Sequence, residues 1–76
     1  MKFIELSGAT LMELLRPGEA NPLELQKAGV KSSSIVRVNL QGDIEIRRRE
    51  GWDVVGGLIG DYEARLKNVT GLDWAI

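Results

Sequence analysis

Within the segment Ile35 to Arg49 the apolar residues from Val36 onward keep strict parity. Val36, Val38, Ile44 and Ile46 all fall on even positions, with Arg37 and Glu45 between them in the two arms. Alternation with period two marks strands with one buried face, so the two arms of an antiparallel hairpin are expected here. Parity also sets the turn. A two-residue loop at Gln41-Gly42 would oppose Val38 to Glu45 and bring a carboxylate onto the apolar face. A three-residue loop pairs Val38 with Ile44 and Val36 with Ile46, starts a type I turn at Asn39 and puts Gly42 in a left-handed position. The same register sets Arg37 against Glu45 on the outer face. Only this second register satisfies both faces.

Upstream, Lys2 to Leu6 mixes Phe3, Ile4 and Leu6 with charged neighbours and reads as a first strand. Ser7 then caps a helix whose apolar face is Leu11, Met12, Leu14 and Leu15, and Arg16-Pro17-Gly18 stops it. A second, short helix is expected over Pro22 to Ala28. Asn21 can cap it, Pro22 fits its first position, and Glu24 follows Asn21 by three residues. Gly29 and Val30 close it, and Lys31 to Ser34 form a polar joint.

Downstream, Gly51-Trp52-Asp53 breaks the strand, and Asp53 is a plausible cap for a last helix. Val55, Leu58, Ile59, Tyr62, Leu66 and Val69 trace one stripe at helical spacing, which predicts a helix to about Asn68, ended by Thr70-Gly71. Leu72, Trp74 and Ile76 make an apolar tail. The expected fold is a small α+β domain of order β-α-α-β-β-α, its antiparallel hairpin sheet packed on the C-terminal helix. With 76 residues there is room for one globular domain over 1–76.

Composition removes several chemistries. Cysteine and histidine are both absent, so no disulfide, thiolate nucleophile, histidine base or ordinary zinc site can be built from one chain. No cofactor is expected, and the side chains left suggest no reaction, so the chain reads as non-enzymatic. The charged N-terminal residues do not resemble a secretory signal, and the longest apolar stretch, Val54 to Ile59, is too short to span a bilayer. The Asn68-Val69-Thr70 sequon matters only on a secretory route. A cytoplasmic location without membrane contact is expected. A net charge of −1 gives no global pull toward nucleic acid.

Local features remain. Arg47-Arg48-Arg49 beside Trp52 could touch phosphates and stack a base, but a charged strand end also discourages edge-to-edge pairing, and Glu45, Glu50 and Asp53 dilute the potential. Gly56, Gly57 and Gly60 would each cost about 1 kcal/mol inside a helix, so a close backbone approach on the face shared by Gly56 and Gly60 is expected. Trp52 and Trp74 can anchor a partner or cover the core. Asp43, Asp53, Asp61, Glu63 and Asp73 lack the spacing of a calcium loop and read as solvated charge.

Ala28-Gly29-Val30, followed by Ile35 to Val38 and Gly42 to Ile46, is similar to the rhythm of the swapped-hairpin antitoxin and transition-state regulator family. The similarity covers the middle of the chain only, and Ser32-Ser33-Ser34 stands where that family usually has a Gly-Asp turn. It implies a DNA-binding regulator using Arg47 to Arg49. The residues themselves favour a different role: an interaction or assembly module meeting a protein partner or itself, as a homodimer, through Gly56, Gly60, Trp52 and Trp74.

Overall fold

The computed structural model describes residues 3–72. In chain order these form β1 (Phe3–Ser7), α1 (Gly8–Leu14), α2 (Pro22–Lys27), β2 (Ile35–Asn39), β3 (Asp43–Arg48), β4 (Gly51–Gly57) and α3 (Tyr62–Thr70). The strands make one four-stranded sheet in the order β1-β2-β3-β4, antiparallel throughout. The α+β class and the expected order of elements are present, with a fourth strand between the hairpin and the last helix.

The hairpin register is the one parity dictates: Val36 faces Ile46, Arg37 faces Glu45 and Val38 faces Ile44. Gly42 has φ +84°, and its amide donates to the Asn39 carbonyl at 3.0 Å. The Asn39 side chain completes the turn, its Oδ1 accepting from the amides of Gln41 and Asp43 at 3.0 Å each. The helix signals are also met. Ser7 Oγ accepts from the Thr10 amide and Asn21 Oδ1 from the Leu23 amide. At the end of α2 the Gly29 amide donates to Gln26 and the Val30 amide to Leu25, while Val30 is buried. That is the full paired-bond cap with its hydrophobic contact.

The inner face of the sheet carries Ile4, Leu6, Val36, Val38, Ile44 and Ile46. These join Leu11 and Leu14 of α1, Leu25 of α2, Leu66 of α3, Val30 and Leu58 in one buried cluster. The three helices of the described residues therefore cover the same side, and among those residues the opposite face of the sheet bears none.

The expected helix from Asp53 to about Asn68 is corrected. Residues 51–57 are strand β4, and α3 begins only at Tyr62. The helical stripe is real in spacing but divided in space: Val55 and Leu58 reach the core from extended chain, while Tyr62 and Leu66 reach it from the helix. Two glycines at Gly56-Gly57 make a helix costly, whereas Trp52, Val54 and Val55 suit a pleated surface. Pairing with β3 settles the contest. A bulge hides the strand's alternation: Glu45 faces Val54 and Ile44 faces Gly56, leaving Val55 unpaired. Asp53 is thus no helix cap but an ion-pair partner of Arg48 at 2.8 Å. Trp74 and Asp73 lie outside the described residues.

Candidate functional site

On the uncovered face the Arg37 guanidinium lies 3.6 Å from the Phe3 ring centroid and 4.1 Å from that of Trp52. The register explains the layering. Arg37 sits on a central strand, while Phe3 and Trp52 sit on the two border strands. Its Nη2 donates to Glu45 Oε1 at 3.1 Å, and Glu45 is buried beneath it. Arg37 Nε is buried without a hydrogen-bond partner among the described residues. Ring contact with the cation offsets part of that loss. Trp52 therefore covers the outer face of the sheet, not the core.

Around this sandwich Ile35 is 46% exposed and Val54 59% exposed. Exposed Glu5 on β1 and exposed Arg47 on β3 add one charge of each sign, neither in an ion pair among the described residues.

The three arginines separate in role. Arg47 stands opposite Trp52 on the outer face, while Arg49 lies in the tight turn between β3 and β4. Arg48 is tied inward: its Nε donates to Asp53 at 2.8 Å and its Nη2 to the Ala28 carbonyl at 2.6 Å. That carbonyl caps α2, where the helix dipole favours a cation. Between the turn and the 29–34 joint lies an open groove of about 920 Å³, its lining including Lys31, Arg47, Arg48, Arg49 and Trp52. Lys31, Arg47 and Arg49 form no ion pair among the described residues.

The two glycines singled out from the sequence do not share a helix face. Gly56 is on β4, and a Cβ there would sit 2.9 Å from Ala20 Cβ and 3.5 Å from Leu25 Cδ2. The close approach is thus made within the chain. Gly60 lies in the loop before α3 with φ +78° and no atom of the described residues within 4 Å of an added Cβ. Its reason is backbone conformation, not packing.

Sequence reasoning missed the strongest polar feature. Arg65 on α3 is buried and grips Glu19 with two hydrogen bonds of 2.7 and 2.6 Å. It also donates to the carbonyls of Leu14 and Ile59 and, through Nε, to Asp61 Oδ1 at 3.0 Å. Glu19 in turn accepts from the amides of Arg16 and Ile59, each at 2.8 Å. The Arg65 hydrogen bonds hold the Glu19 carboxyl down at about 2, outweighing burial, which raises it, with help from the two amides. Glu19 raises Arg65 in the same way. Each carboxylate oxygen already accepts two bonds, so Glu19 is a staple joining the end of α1 to the β4–α3 loop, not a proton acceptor for chemistry. One signal was available: Arg65 falls at a stripe position, three residues after Tyr62 and four before Val69.

Among the described residues no group of three or more acidic, histidine or cysteine side chains is placed to hold a metal ion, and no helix is long and apolar enough to cross a membrane. The fold and surface define a small α+β domain with one sheet face covered by helices and the other open among the described residues. Comparison with family models, curated proteins and solved structures finds no match to this chain.

Proposed function

We propose that the chain is a non-enzymatic interaction and assembly module that self-associates as a homodimer through the open face of its sheet. The observation that carries this reading is a face without a helix among the described residues, on which Ile35 is 46% and Val54 59% exposed beside the Phe3–Arg37–Trp52 layer. A four-stranded sheet with apolar side chains left in water gains by burying them, at about 25 cal/mol per Å². A second copy suits the face because Glu5 and Arg47, without an ion pair among the described residues, are charges of opposite sign able to pair reciprocally across a two-fold axis. Gly56 does not belong to that surface, since its neighbours are Ala20 and Leu25. Light scattering across a concentration series tests the reading: the mass is expected to rise from that of an 8.4 kDa monomer toward twice that value. A mass fixed at the monomer to millimolar concentration would refute it.

A second reading, a DNA-binding regulator, is favoured by Arg47 and Arg49, which form no ion pair among the described residues, beside Lys31 at the groove. Salt-dependent mobility shift of duplex DNA that disappears in Arg47→Ala/Arg49→Ala would promote it over the first.

A further inference from the structure

We infer that the groove at the β3–β4 turn docks an extended acidic peptide segment of a partner protein. This rests on reading the chain as an interaction module, and the groove shares Arg47 and Trp52 with the self-association face while adding Lys31, Arg48 and Arg49. The groove lining carries Lys31, Arg47, Arg48 and Arg49 against Glu50 and Asp53, a positive surplus in a chain whose net charge is −1. Arg48 is held by Asp53 and the Ala28 carbonyl and forms part of the fixed wall. Lys31 and Arg49 are exposed and unpaired among the described residues, so they can meet a ligand without breaking any contact of the fold.

Shape selects among anions. A small anion needs to be mostly enclosed, but Gly29, Lys31, Arg47, Arg49, Glu50 and Gly51 are all exposed along this groove. The ligand must therefore be long and bound along its length. The spacing of charge then separates a polypeptide from a nucleic acid. One face of the Trp52 ring already rests on Arg37, which leaves at most the other face to stack a base. Glu50 and Asp53 would also repel an evenly charged phosphate chain, whereas a peptide presents carboxylates only at alternate residues.

The test is fluorescence anisotropy of a labelled peptide alternating glutamate and valine, with a lysine–valine peptide and single-stranded oligothymidine as parallel arms. The glutamate peptide is expected to bind at low salt and weaken as salt rises, while the lysine peptide stays free. Lys31→Ala/Arg49→Ala should weaken binding by about tenfold, the worth of two exposed charge contacts, with the thermal unfolding midpoint unchanged. No binding of the glutamate peptide, equal binding by the double variant, or tighter binding of oligothymidine lost in that variant would each overturn the inference. Solution mass, with the peptide assay run at a concentration where the protein is monomeric, separates it from the self-association reading. Peptide failure with a concentration-dependent mass removes only the groove, and peptide binding by a strict monomer removes only the dimer.

Discussion

Strand β3 has a different kind of neighbour on each side. Toward β2 the ladder is regular, closed by a turn that Asn39 and Gly42 hold with their own short-range hydrogen bonds. Toward β4 the ladder shifts at Val55, and most of what fixes the strand comes from far away in sequence. Ala20 and Leu25 pack on Gly56, the Leu58 amide donates to the Gly42 carbonyl at 2.8 Å, and Glu19 and Arg65 hold Ile59 by its amide and carbonyl. The first hairpin is locally specified; the second is specified by tertiary structure. The open face spans both, so the less local half carries Trp52 and Val54, the outer border of the proposed contact.

The largest expected effect breaks the long-range half. Arg65→Ala leaves Glu19 buried without its cation and should cost about 3–5 kcal/mol by urea unfolding. The same pair sets an acid dependence. Glu19 titrates near 4.5 unfolded and about 2 folded, so its stabilisation is complete above the unfolded value. It is lost as pH falls through that window. The parent should show this loss between those two values, and Arg65→Ala should lack it. An unchanged slope in the variant would remove the pair from the account.

The local half is struck by Gly42→Val. The turn requires φ +84°, and a Cβ there would meet the Leu58 carbonyl oxygen at 2.9 Å. A loss of about 2–4 kcal/mol is expected from strain and overpacking together. A neutral result would contradict the turn and its contact with the β4–α3 loop.

How much of this was legible follows from the same contrast. Ser7, Asn21, Pro22, Gly29 and the even-numbered apolar residues of β2 and β3 act within a few residues of themselves, and their structure was readable. The residues from Trp52 to Gly60 satisfied a helical period by accident, while the bulge at Val55 concealed the strand's own period. Glu19 and Arg65 are 46 residues apart and carry no periodic signal that joins them. The Trp52 layer on Arg37 was likewise out of reach, because it depends on β4 lying beside β3.

Two glycines sharpen the comparison at smaller cost. Gly56→Ala should destabilise by about 1–3 kcal/mol, because its methyl must displace Ala20. Gly60→Ala should cost about 1 kcal/mol through φ +78° alone, since no atom of the described residues lies within 4 Å. Thermal unfolding at two protein concentrations should show both losses independent of concentration. A loss at Gly56 that fades on dilution would move its contact to a subunit interface.

The smallest expected change in stability accompanies the most direct test. Val54 is 59% exposed on the open face, so Val54→Lys should shift unfolding by less than about 0.5 kcal/mol. It should nevertheless keep the protein at the monomer mass under conditions where the parent associates. An unchanged mass profile in Val54→Lys, or a lost dimer only in a variant that has also lost stability, would contradict assembly through this face.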